Sequence, residues 1–169
     1  MERHIPDPGF AGDDGASDPA LLALLAARGA GEASSAEVLA GLAASRLLVP
    51  VVAVLGEVEH DENGLAHDKT SDMAAVLVQG ADGRLGLLAF TGIETMKRWN
   101  PEARPVPVPA RAAATSAIQD GAAALLVNIA GPASYVLTGD DLVGIASGWE
   151  LARAGERSVW VAPPPVDGS

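Results

Sequence analysis

The stretch NPEARPVPVPARAAATSAIQDGAAALLVNI, residues 100–129, carries the chain through three changes of backbone character. Prolines at 101, 105, 107 and 109 fix their own φ and push each preceding residue out of the α region, so the first third is extended and poor in N–H donors. Arg104, Val106 and Val108 alternate with the prolines. That alternation predicts an edge strand or stiff connector, with the valines turned inward and the donors stripped from its other side, so that no neighbouring strand can add to it. An exposed proline-rich ligand would leave those valines uncovered. Ala110 to Asp120 then reads as an alanine-rich helix stopped by Gly121, and Ala124 to Ile129 as a strand.

Upstream, LLVPVVAVL (Leu47 to Leu55) is a continuous β-branched run, expected as a strand buried on both faces or nearly so. Pro50 within it argues for a strand start, a bulge or an edge. Met73 to Val78 and Leu85 to Phe90 flank QGADGR, in which Asp82-Gly83 suits a hairpin turn. Thr91-x-x-Glu94 has the form of a capping box, opening a short helix that carries Met96 and Trp99 and stops before Pro101. Asp18-Pro19 followed by Leu21, Leu22, Leu24 and Leu25 predicts a helix up to Gly29. The Ser34-x-x-Glu37 box predicts a second, running to about Arg46. Downstream, Tyr135 to Leu137 pairs with the strand before it around Gly131-Pro132, Thr138-x-x-Asp141 starts a last helix with Leu142, Val143 and Ile145, and SVWVA (Ser158 to Ala162) adds a short strand.

This order gives an α+β fold: a largely antiparallel or mixed sheet with helices packed mainly on one face. A single domain is expected over residues 18–162, with a flexible lead-in at 1–17 and a flexible tail at 163–169.

Charge and composition exclude several classes of function. Twenty-two acidic against eleven basic residues give a net charge of −11, a field that repels phosphate backbones and anionic lipid headgroups. Neither nucleic acid nor membrane is expected as a partner. The absence of cysteine removes disulfides, thiolate metal sites and thiol nucleophiles together. With no signal pattern at the start and no apolar run long enough to span a bilayer, a cytoplasmic location is expected. Aromatic residues make up 4% of the chain, so the core must rest on Ala, Val, Leu and Ile, and Trp99, Trp149 and Trp160 stand out.

The series LLVPVVAV, KTSDMAAVLV, DGR, LAFTGIETMKRWNPEARPVPV and IQDGAAALLVNIAGPASYVL, within the run from Leu47 to Trp149, resembles the N-terminal domain of the SseB family in its actinobacterial form. What the resemblance implies about activity is thin. The family takes its name from a serine-sensitivity phenotype and offers no catalytic residues to carry over. A sulfurtransferase that shares the name needs a cysteine, which this chain lacks.

Four sets of residues are candidate sites. His60, His67 and Asp68, with Asp61 and Glu62, place imidazole and carboxylate in one acidic loop, the ligand set of zinc or manganese, but their spacing matches no compact motif and no metal is expected. Lys97, Arg98, Arg104 and Arg111 gather basic charge in fifteen positions, a candidate anion contact. Trp149, Val159, Trp160 and Val161 form a candidate interaction surface, because tryptophan joins a large apolar body to one N–H donor. Trp99 reads as a lid on the core. Gly144-Ile-Ala-Ser147-Gly148 fails as a nucleophile elbow: its serine is one place late and follows a helix. No phosphate-binding or dinucleotide fingerprint occurs, and no cofactor is expected.

The sequence therefore favours a noncatalytic binding or regulatory module acting through a protein partner. The alternatives are an enzyme using the His60 to Asp72 loop with a metal or small ligand, and a self-associating structural domain that forms a homodimer.

Overall fold

The computed structural model describes residues 13–54, 72–129, 131 and 133–165, and these form five helices and nine strands. Helix α1 (Pro19–Gly29) begins where Asp18 accepts from the Ala20 amide, with proline in the first turn. Helix α2 (Ser35–Ala43) carries the reciprocal box: the Glu37 amide donates to Ser34 Oγ at 3.2 Å, and the Ser34 amide donates to Glu37 Oε2 at 2.8 Å. The helix stops short of Arg46 because that residue already opens strand β1 (Arg46–Val54).

Strand β1 is the centre of a three-stranded sheet, between β2 (Asp72–Ala75) and β5 (Arg104–Pro109), antiparallel to both. A four-stranded sheet runs β3 (Leu77–Gln79), β4 (Leu85–Ala89), β6 (Ala124–Val127), β7 (Tyr135–Thr138). Only the β4–β6 pair within it is parallel. The two sheets meet where Leu48 and Phe90 exchange backbone hydrogen bonds of 2.7 and 2.8 Å. The single apolar run expected over Met73 to Val78 divides at Val76, whose carbonyl accepts from the Leu88 amide, so the chain leaves β1 on one side and joins β4 on the other. The Asp82-Gly83 turn forms as expected, with Gly83 at φ +84°.

The prolines can be placed donor by donor. Leu48 turns its N–H and carbonyl toward Phe90, and Ser45 offers its carbonyl to Ala110 at 3.0 Å, so even-numbered residues of β1 face away from β5 and odd-numbered ones toward it. Against β5 the register sets Pro50, Leu48 and Arg46 opposite Pro105, Pro107 and Pro109. All three β5 prolines thus point their missing donors outward, on the open edge. Pro50 lacks its donor at the gap between β2 and Phe90, where no strand among the described residues would accept it. This is how a buried central strand tolerates proline. The valines divide: Val108 packs on the core, whereas Val106 is 40% exposed instead of turned inward.

Helix α3 (Ile93–Trp99) follows β4, and α4 (Ala110–Gln119) supplies the crossover that a parallel β4–β6 pair requires. Helix α5 (Gly139–Ser147) ends at Gly148, φ +71°, and a two-stranded ribbon, β8 (Glu150–Ala154) and β9 (Arg157–Val161), closes the described chain. The main core packs α1, α2, α4 and α5 against one face: Leu25, Val38 and Leu42 meet Leu87, Leu125 and Leu137 there. Ala113, Ala114 and Ala117 are fully buried, which lets α4 approach the sheet closely. Residues of alternate parity form a smaller core on the opposite face, where Leu88 and Phe90 meet Met96 and Ala103. Trp99 covers it, its ring centroid 5.8 Å from that of Phe90.

The capping box expected at Thr91 is absent, and α5, though it starts after Thr138 as expected, has no side-chain cap. The N-cap of α3 is Gly92, one residue later than Thr91, and it is Thr95 whose hydroxyl accepts from the Gly92 amide. At α5 the Thr138 hydroxyl donates across the sheet to the Ala123 carbonyl, and Asp141 is taken by Trp160. Each side chain is drawn away by a longer-range partner.

Candidate functional site

The ribbon stands on α5 chiefly through Trp160, with Leu151 packed beside it on the main core. Register pairs Leu151 with Trp160, both half-buried, and the indole Nε1 donates to Asp141 Oδ1 at 2.9 Å. The indole lies flat against Gly144, where any Cβ would collide with it. Trp160 is thus the anchor of the ribbon. The next positions, Val159 opposite Ala152 and Val161 opposite Glu150, turn to the other face, and the two valines are 41% and 46% exposed. Trp149, just past the left-handed cap, is 38% exposed. The inner face of the ribbon and the first turn of α2 bound a groove of about 680 Å³ lined by Ser34, Glu37, Asp141, Leu151, Arg153 and Ser158. Near it, burial and the Asp141 carboxylate raise the Tyr135 hydroxyl above its ordinary pKa, although Ser35 and Arg28 oppose the shift.

The anchor gives a direct test. Gly144→Ala should expel the indole, shift tryptophan emission to the red and speed amide exchange over residues 150–161, leaving α4 and β6 protected. Unchanged emission and exchange would mean the indole does not hold the ribbon.

The basic candidates are not gathered into one site. Lys97 donates to the Pro101 carbonyl at 2.8 Å, while Arg98 and Arg104 lie exposed on α3 and β5. Arg111 sits against Gly148 at the C-terminus of α5, where the helix dipole favours a cation. His60, His67 and Asp68 lie outside the described residues, and among the described residues no group of three metal-ligating side chains occurs.

Sequence reasoning missed a polar knot at the carboxyl ends of β4 and β6. The four buried polar residues among those described, Ser17, Thr91, Thr95 and Asn128, all belong to it or adjoin it. Asn128 holds φ +55°, a left-handed conformation asparagine tolerates better than most. Its Oδ1 accepts from the Thr91 amide at 3.0 Å, and its Nδ2 donates to Thr91 Oγ1 and to the Ala133 carbonyl. Thr91 Oγ1 also lies 3.0 Å from Ser17 Oγ. Residues 13–17, assigned from the sequence to the lead-in, lie across this knot. Arg46 forks onto Asp13 with Nε–Oδ2 2.6 Å and Nη2–Oδ1 2.8 Å, and also donates to the carbonyls of Ala16 and Thr91. The Ser17 amide donates to Glu94, and the Ile93 amide to the Gly15 carbonyl.

These contacts set a pH response. The hydrogen bond from Arg46 leads in lowering the Asp13 carboxyl from its ordinary 3.8, helped by the Gly15 amide. Burial pushes Glu94 up, but bonds from Ser17 and from its own amide, with the Arg46 charge, outweigh it, so it ends below its ordinary 4.5. Both carboxyls are held lower than in the unfolded chain, so their contribution is present above the ordinary values and lost as pH falls through the lowered ones. Amide exchange at Ile93 should therefore rise relative to the core below about pH 4. Constant relative protection down to pH 2 would contradict this linkage.

A family model described as the SseB protein N-terminal domain matches residues 20–143. No curated protein and no solved structure matches the chain.

Proposed function

Since the chain belongs to the SseB family through this N-terminal domain, we propose that it is a noncatalytic binding module, of the actinobacterial form and cytoplasmic, that engages a protein partner through the β8–β9 ribbon. The observation that carries this reading is the exposure of Trp149, Val159 and Val161 on a ribbon whose two outer edges have no neighbouring strand among the described residues. The ribbon also lies beyond the matched span, which ends at residue 143 within α5, and its outward valines belong to neither apolar core. An extended segment from another protein would add a strand to one edge by main-chain bonds and cover the valines with alternate side chains. The net charge of −11 favours a partner whose flanks are basic.

Val159→Lys with Val161→Lys tests this without disturbing Trp160. Both changes fall on the outward face, so stability should move by no more than about 0.5 kcal/mol. Partner capture from the native cells should be lost. Light scattering separates the homodimer reading: a parent dimer that becomes monomeric in the double variant would assign the added strand to a second copy. Capture that is unaffected, with a monomeric parent, removes the ribbon as the working surface.

A further inference from the structure

We propose that residues 13–17 form a detachable strap over a peptide-binding crevice at the carboxyl ends of β4 and β6, and that the crevice accepts an Asp-x-Gly-x-Ser segment, supplied by this chain when closed and by another peptide when the strap opens. Each named position of the segment meets a separate requirement. Asp13 answers the fork of Arg46. Gly15, at φ +78°, lies so close to Ile93 that any side chain would collide with it. Ser17 places its hydroxyl on Thr91, and its approach to Gly92 leaves no room for a Cβ there. The main chain is read as well, through the Gly15 and Ala16 carbonyls and the Ser17 amide. Such a mixture of backbone pairing and side-chain requirements at fixed spacing is how extended peptides are recognised.

The location and the forces both point to a ligand-like role. The crevice lies outside the carboxyl ends of β4 and β6, the one parallel pair of this mixed sheet, on the side where open parallel sheets hold their ligands. No side chain of residues 13–17 joins either apolar core, and Asp13, Asp14 and Ala16 are exposed. The segment is kept by hydrogen bonds and one partly covered ion pair, without core packing of its own side chains, so it can open locally well below global unfolding. What opening uncovers is polar and preformed: Thr91 and Asn128 hold each other in place independently of the strap.

Two measurements decide the matter. In the parent protein the Ile93 amide, bonded to the Gly15 carbonyl, should exchange at least tenfold faster than the Phe90 amide, bonded to Leu48. Equal protection overturns the detachable strap, and it does so without any variant. In Asp13→Ala with Ser17→Ala, Ile93 protection should fall further. A blocked peptide Asp-Asp-Gly-Ala-Ser-Asp should then shift the Thr91, Ile93 and Asn128 amide resonances at a concentration at least tenfold lower than in the parent, whose tethered strap competes. The same peptide with its first and fifth residues replaced by alanine should give no shifts. A variant whose strap stays closed, or an open crevice indifferent to the peptide, overturns the proposal.

Discussion

Phe90→Ala is expected to destabilise the protein by about 3–5 kcal/mol, the range for removing a large aromatic side chain from a packed core. The residue is fully buried, and it joins three parts of the fold. Its backbone exchanges both hydrogen bonds with Leu48, the only link between the two larger sheets through such a bridge among the described residues. Its ring meets Trp99 and shares the smaller core with Leu88, Met96 and Ala103. That core has few members, so little can collapse into the vacancy. A domain of this size commonly has about 5–15 kcal/mol to lose, so the variant should unfold at a far lower denaturant midpoint with an unchanged slope. Phe90→Leu should recover more than half of the loss. A cost below about 1 kcal/mol for the alanine variant would show that the face under α3 is not packed as described.

Asn128→Ala should cost about 3 kcal/mol, for a different reason. Truncation leaves the buried Thr91 amide without its acceptor, and removes the donor to Thr91 Oγ1 and Ala133. An unmade buried hydrogen bond costs about 1–3 kcal/mol. Alanine must also hold φ +55°, which asparagine and glycine do more readily. Asn128→Gly should therefore be about 1 kcal/mol more stable than Asn128→Ala, although it makes no more hydrogen bonds. Equal stability of the two would mean that the backbone relaxes out of the left-handed region and that the knot is looser than its distances imply.

Local signals reached far in this chain. Asp18-Pro19, the Ser34 box, Asp82-Gly83 and the stop at Gly121 each act within a few residues, and each sits where expected. The edge role of the proline segment followed from donor arithmetic, which needs no knowledge of the rest of the fold. What stayed hidden depends on residues far apart in sequence. Thr91 and Glu94 look like a cap by spacing, yet their partners include Asn128 and Ser17. Thr138 and Asp141 mark the start of α5 as expected, yet their side chains are claimed by Ala123 and Trp160. Val106 shows the limit of alternation: on an edge strand the face that should be inward can run past the body it covers. Trp160 was legible as a conspicuous residue, but Gly144 beneath its ring could not be known as its seat without the packing of ribbon on helix. An aspartate two residues before a glycine, with an arginine thirty-three positions on, carries no sequence signal for a strap.

The proposed working surface is tested most directly by a photo-crosslinking side chain placed in turn at Val161, on the outward face of the ribbon, and at Val106, an equally exposed position on the proline edge. In the native cells Val161 should yield one predominant adduct with a single protein species, abolished by Val159→Lys, while Val106 yields none. Adducts of equal strength from both positions, or none from Val161, would contradict the assignment of the ribbon as the place where this protein meets its partner.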